Sequence, residues 1–199
     1  MIQFLFDLDG TVTDQETLPL IARNFGIAEE IEQLTRQTIL GNVPFIESFI
    51  KRINILGKQP VSEIRALLAN VSLYRQVSQF IKENFGCCAI VTGNLGCWVE
   101  DLVQSIGCRC YNSSGIVQND RVVKLETILK KESIVSLYQA QGHKVVFIGE
   151  GNNDMEAMRL ADISIAAGLT HWPAPSILSI ADYSVFSEDA LCRLLRQLS

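Results

Sequence analysis

Several features that would commit a chain to a particular class are scarce or missing here. There are only two histidines, far apart, and the six cysteines at 87, 88, 97, 108, 110 and 192 form no Cys-x-x-Cys pair. A structural zinc site is therefore not expected. No apolar run reaches the length of a membrane span, and the chain opens on a strand, without the charged segment and hydrophobic core of a signal peptide. The expectation is a reduced, cytoplasmic, soluble protein with no membrane partner. Positive charge is also thin. With a net charge of −5 and no basic block beyond Lys130-Lys131, neither nucleic acid nor an anionic lipid surface is an expected partner. Small anionic substrates held by single cations stay compatible with this balance. No internal repeat or low-complexity tract is evident, and nothing in the chain bears on its oligomeric state.

What is present is enough apolar material for a substantial core: 48% of 199 residues are hydrophobic, which suits one domain or one domain with an insertion. Short apolar runs bounded by turn residues occur at 2–6, 87–91 and 145–148, with a weaker one at 163–166. Helical periodicity lies between them, with apolar residues at 99, 102, 103 and 106 and again at 134, 135, 137, 138 and 140. Strands alternating with helices predict an α/β fold with a mainly parallel sheet. Residues 14–71 interrupt the alternation. They read as consecutive helices over 18–25, 27–39, 44–56 and 61–68, punctuated by Gly26, Gly41-Asn42 and Gly57, and Phe45 falls on a core position of the third. This block is expected to be an insertion covering the active edge of the sheet, where it would exclude water and read a substrate. A hairpin is expected at 115–124, turning at Asn119-Asp120.

The chemistry-bearing residues cluster after the strands. Asp7 and Asp9 follow the first run in Asp7-Leu8-Asp9-Gly10-Thr11, and strand alternation would point both carboxylates at one spot. A calcium loop is excluded because its fifth, sixth and twelfth positions are Thr11, Val12 and Leu18; a plain polar turn is the other reading. After the second run, Thr92-Gly93-Asn94 offers a hydroxyl and backbone amides suited to a phosphate oxygen, though such turns also serve as helix caps. Lys130-Lys131 stands at a helix start, an unusual place for cations. The run at 145–148 leads into Gly149-Glu150-Gly151-Asn152-Asn153-Asp154, which is no dinucleotide fingerprint, since Asp154 occupies the third glycine position. Glu150 and Asp154 instead offer oxygen ligands to Mg²⁺. All these groups fall at the same end of parallel strands, where open α/β sheets bind ligands. Together they supply the parts needed for phosphoryl transfer through an aspartyl phosphate.

In these motifs and their order the sequence resembles the haloacid dehalogenase superfamily of phosphohydrolases. The resemblance implies a Rossmann-like three-layer core over residues 1–13 and 72–199 and a small helical cap over 14–71. It implies that Asp7 is the nucleophile and Asp9 the general acid/base, that Thr92, Gly93 and Asn153 contact the substrate, and that a lysine balances charge. Lys131 fits that position better than Lys130 or Lys124, because Ile134 and Val135 then fall where the following helix carries apolar residues. Mg²⁺ is the implied cofactor, with Asp7, Asp9, Glu150 and Asp154 around it. Within the superfamily the likeness is to the phosphoserine phosphatases, in which a glutamate meets the substrate ammonium and a cap-helix arginine its carboxylate; these fall on Glu16 and Arg52. The implied activity is Mg²⁺-dependent hydrolysis of a small phosphomonoester, O-phospho-L-serine first. A phosphatase or phosphotransferase for another phosphorylated metabolite, and a binding or regulatory module with weakened catalysis, are the alternatives.

Three departures stand out. Glu150 occupies a position the family usually gives to aspartate, and Asn94 one where glycine is common. The third is the segment 168–175, longer than its family equivalent. It could border the active edge, or be a proline-stiffened surface loop with Trp172 packed beneath it.

Overall fold

The computed structural model describes residues 1–39 and 42–199, with the side chains of 38, 39 and 45 outside that description; the expected break at Gly41 and the core position of Phe45 lie outside the described residues. Seven strands form one sheet: β1 (Ile2–Phe6), β2 (Cys88–Leu95), β3 (Arg109–Gln118), β4 (Arg121–Thr127), β5 (Lys144–Gly149), β6 (Ile163–Ala167) and β7 (Tyr183–Val185). Their order is β4-β3-β2-β1-β5-β6-β7, and every pair is parallel except β3 with β4. Connections run outward in both directions from β1. The strand order therefore reverses beside β1, which is where such sheets open a crevice beyond their carboxyl ends.

The central strands read as mostly apolar runs, interrupted in β1 only by Gln3, because both of their faces are covered. Phe4, Phe6, Ile90, Val146 and Ile148 point to one face, where they pack with α5 (Arg75–Glu83), α6 (Gly96–Ile106) and α10 (Glu188–Leu198). Leu5, Ala89, Val91, Val145 and Phe147 point to the other, against α7 (Lys131–Ala140), α8 (Met155–Leu160) and α9 (Pro175–Leu178). The result is helix, sheet, helix. Phe80 of α5 meets Phe4 edge-on with ring centroids 5.3 Å apart, a favoured aromatic geometry.

Between β1 and α5 come α1 (Thr17–Asn24), α2 (Ala28–Ile39), α3 (Phe45–Leu56) and α4 (Val61–Leu68), each within a residue or so of its expected span. Their buried residues, Ile21, Ile31, Ile53, Leu56, Ile64 and Leu68 among them, join the same apolar cluster as the first face of the sheet. The chain enters and leaves this block through two antiparallel segments: Thr13 bridges Leu73, Asp14 N donates to Ser72 O at 3.1 Å and Tyr74 N to Val12 O at 2.9 Å. Among the described residues no helix is long and apolar enough to cross a membrane.

The structure departs from the sequence expectations at three strands. β2 does not end at Val91 but continues through Thr92-Gly93-Asn94 to Leu95, with a shift of register against β3 between Val91 and Leu95. The hairpin extends further than 115–124, because the first half of β3 pairs in parallel with β2 before the chain turns back. Its turn residues Asn119 and Asp120 have φ of 49° and 61°, the left-handed pair that a two-residue hairpin turn requires. β7, three residues at the sheet edge, was not expected.

Candidate active site

Phe6 pairs with Ile90 on one side and Ile148 on the other, so Asp7, Thr92 and Glu150 emerge together at the carboxyl edge. The backbone holds Asp7 there through its own N–H, which donates to Ile148 O at 2.9 Å. Beyond Asp7 the chain is no longer a strand. It curls, with Val12 N and Thr13 N both donating to Leu8 O at 2.9 and 3.0 Å, so a turn rather than strand alternation brings Asp9 beside Asp7.

Lys131 is the one cation of the three candidate lysines that reaches these acids. It is buried, and its Nζ lies 2.6 Å from Asp7 Oδ1 and 2.6 Å from Asp154 Oδ1, while Lys124 and Lys130 are exposed. Burial alone would lower its pKa, but the charges of Asp154 and Asp7 outweigh that and raise it, keeping the ammonium protonated. Two buried carboxylates thus compensate a cation that the start of α7 would otherwise repel.

The four acids expected around a metal are held in different ways. Asp7 takes both of its bonds on Oδ1, from Lys131 and from Leu8 N at 2.8 Å, so Oδ2 is the oxygen left for chemistry. Burial first, and the charge of Asp154 second, push its pKa well above the usual carboxylate range. Asp154 is fully engaged: Lys131 binds Oδ1, and the N–H groups of Glu150 and Gly151 donate to Oδ2 at 3.0 Å each. A side chain at residue 149 would collide with it, since a Cβ there would lie 2.5 Å from Asp154 Oδ2. Asp9 is engaged on both oxygens too, accepting from Thr17 N at 2.8 Å on Oδ1 and from Asn94 Nδ2 at 2.7 Å on Oδ2. Its pKa is raised by burial, against the pull of those bonds.

Glu150 behaves unlike the other three. Its carboxylate folds over Gly10, whose φ is +70° and where a Cβ would come within 2.9 Å of Glu150 Oε1. Burial, then the charges of Glu16 and Asp7, lift its pKa to about 9, and Oε2 is buried with no hydrogen-bond partner among the described residues. Glu16, which precedes α1, shares a hydrogen bond with it, and burial and the charge of Asp9 raise Glu16 to about 7. Two carboxyl groups in hydrogen-bond contact hold a proton between them, as close like charges require. Among the described residues no three His, Cys, Asp or Glu side chains form a complete metal cage.

Of the residues expected to meet a substrate, Thr92 is fully buried and its Oγ1 accepts from Asn94 N at 3.1 Å. Gly93 faces open space. Arg52 on α3 is half-buried and lies within the field of Glu16; burial lowers its pKa while that charge raises it. Asn153, next to Asp154 in the chain, is exposed and folds back over Gly151, where a Cβ would clash with its side-chain oxygen.

The segment 168–175 does border this edge. Thr170 Oγ1 donates to Gly10 O at 3.1 Å and meets Tyr74 OH at 3.0 Å, and Ala174 N donates to Glu150 O at 3.0 Å. Trp172 is not packed beneath the loop: it is 74% exposed and stacks on Phe186 with centroids 4.6 Å apart. Thr17 and Thr170 are the site residues that sequence reasoning missed, and only their nearness to Glu16 and the long loop could have marked them; Asn94 stood out as a departure, but its bond to Asp9 did not.

Residues 3–162 match a family model described as haloacid dehalogenase-like hydrolase. A phosphoserine phosphatase from Methanocaldococcus jannaschii is 25% identical over 175 residues, 81% of this chain and 83% of the relative. One from Archaeoglobus fulgidus is 22% identical across 93% of this chain, which spans only 56% of that relative's length. Among solved structures, a substrate-bound phosphoserine phosphatase superposes with a TM-score of 0.82 at 24% identity, covering 98% of this chain and 97% of its own, a likeness of fold.

Proposed function

The chain belongs to the haloacid dehalogenase-like hydrolases, and from that premise we propose that it is a phosphatase that hydrolyses small phosphomonoesters through an aspartyl phosphate on Asp7. The observation that carries this reading is the buried Asp7–Lys131–Asp154 triad, which occupies Oδ1 of Asp7 and leaves Oδ2 for attack. Oδ2 bonds to phosphorus as the ester P–O bond breaks, and Asp9 gives its proton to the leaving oxygen. Asp9 then takes a proton from water, which attacks the phosphorus and returns Asp7 as a carboxylate. Thr92 and the amides around Gly93 face the phosphoryl group, while Lys131 keeps Asp7 oriented and offsets its charge. The helices of 14–71 form the cap that shields this edge from water.

A divalent cation fits the donor set. Asp7 Oδ2 and the buried Glu150 Oε2, which has no hydrogen-bond partner among the described residues, are hard oxygen donors, and the raised pKa values of Asp7 and Glu150 mark a site where a positive charge would be welcome. Asp7 and Glu150 would hold Mg²⁺, with water or phosphate oxygens completing its shell as this ion prefers. When bound, it supplies positive charge to the phosphoryl oxygens.

O-Phospho-L-serine is the leading substrate, with Arg52 for its carboxylate and Glu16 for its ammonium. A different small phosphomonoester is the second reading, because Glu16 is already engaged with Glu150. Arg52→Ala should raise KM for phosphoserine far more than for an aryl phosphate lacking a carboxylate; equal effects would favour the second reading. For the reaction itself, p-nitrophenyl phosphate hydrolysis should require Mg²⁺ and fall about a thousandfold or more in Asp7→Asn. Activity retained in Asp7→Asn would refute the nucleophile, and no hydrolysis by the wild type would leave a binding module on this fold.

A further inference from the structure

Asn94 is 3% exposed and stands on β2 between the two halves of the site. Its Nδ2 lies 2.7 Å from Asp9 Oδ2 and 2.7 Å from Thr17 Oγ1. Only the amide nitrogen can donate to that carboxylate, so the network sets the amide orientation. From the other side Thr17 N donates to Asp9 Oδ1 at 2.8 Å. Asp9 is thus held at both oxygens by donors from different elements, β2 and the first turn of α1, and neither its plane nor its rotation about the side-chain bond is free.

This arrangement leaves Asn94 Oδ1 buried with no hydrogen-bond partner among the described residues. An unsatisfied buried acceptor costs about 1–3 kcal/mol, a penalty that a small apolar residue at 94 would avoid. Packing therefore does not account for the amide. Local rules are broken in this way where a site demands it.

We infer that Asn94 is a positioning residue for proton transfer: by donating to Asp9 Oδ2 it fixes the carboxyl group in the orientation from which Asp9 protonates the leaving oxygen. The inference rests on the phosphatase reading. Its energetic logic is that of general acid catalysis, which contributes about 10²–10⁴-fold and depends on the acid being held in line with the atom it protonates. A leaving group that is already a stable anion needs no proton, so the contribution of Asn94 should grow as the leaving group becomes more basic.

The test uses the full chain with Mg²⁺ and a series of aryl phosphates from p-nitrophenyl to phenyl phosphate, which needs no assumption about phosphoserine. Asn94→Ala should lower kcat on phenyl phosphate by about tenfold more than on p-nitrophenyl phosphate, with KM little changed on either. In an Asp9→Asn background, where no proton is left to position, Asn94→Ala should add no selective loss. Because each variant is compared with itself on two esters, a partly unfolded sample lowers both rates and leaves the ratio intact. Asn94→Leu, which keeps the approximate size but removes the donor, should show the same selective loss. Equal losses on both esters, or a selective loss that persists without Asp9, would overturn the positioning role and leave the phosphatase standing. A wild type that turns over neither ester would overturn the phosphatase and the positioning role together.

Discussion

Replacing Lys131 by methionine probes the centre of the site most directly. The side chain stays unbranched, one atom shorter, and loses its charge, and its two partners, 2.6 Å away on each side, are themselves buried: the side chains of Asp7 and Asp154 are 7% and 0% exposed. Removing one member of a buried ionic cluster costs about 3–5 kcal/mol, because the remaining charges lose their compensation. In a chain of this size each kcal/mol lowers Tm by about 2–4 °C, so Lys131→Met should melt roughly 10 °C below the wild type. Thermal unfolding at pH 7 reads this, with Lys130→Met, an exposed neighbour, as the control expected to change stability by no more than about 0.5 kcal/mol. Asp7→Asn added to Lys131→Met should recover part of the loss by removing one of the stranded carboxyl groups. A variant as stable as Lys130→Met, or a double variant no more stable than Lys131→Met alone, would refute the triad's electrostatic origin.

Glu16 and Glu150 have folded pKa values of about 7 and about 9, above their ordinary values, so the folded state binds protons more tightly than the unfolded one. Their stabilising contribution is complete below about pH 4.5 and is lost as pH climbs through 7 and then 9; Tm should fall across that window, and Glu150→Gln should flatten the fall, with an unchanged slope in the variant counting against the shared proton. Gly149→Ala places a Cβ 2.5 Å from Asp154 Oδ2 and should cost about 1–3 kcal/mol by forcing Asp154 off Lys131. Denaturant melts against Gly86→Ala, whose Cβ meets nothing within 4 Å, measure it, and equal midpoints would show that Asp154 moves without penalty.

What could be read from the chain before folding depended on how locally each feature is encoded. β1 and β5 were legible because a strand covered on both faces must be apolar throughout. The four helices of 14–71 were legible because glycines and prolines separate them and a 3.6-residue period runs through each. The start of β3 was not, since Arg109, Asn112 and Ser114 lie toward the rim of the sheet and carry no apolar run, and β7 is too short to show a period. The acids and Lys131 stand in order along the chain. The directions of their side chains do not: Asn94 was visible as a residue where glycine is common, but its rotation toward Asp9 depends on α1 arriving from 77 residues away in sequence, which brings Thr17 to it. Glu150 was visible as a longer acid, whereas its contact with Glu16 exists only once α1 has docked.

The turn between β3 and β4 grips the helical block a long way from where the chain enters it. Asp120 accepts from Ser62 N at 2.9 Å and from Ser62 Oγ at 2.6 Å at the start of α4, its carbonyl accepts from Val61 N at 2.8 Å, and Val122 N donates to Gly57 O at 3.0 Å. The block is therefore fastened at the paired segments around Thr13 and Leu73, at this turn, and again at α6, where Arg65 of α4 pairs with Glu100 and Asp101. A body with separated attachments has no single hinge. Swinging the helices away from the sheet edge would have to carry the β-ribbon along or strip the start of α4 of its cap, so the ribbon, which holds none of the site's acids, is coupled to any such movement.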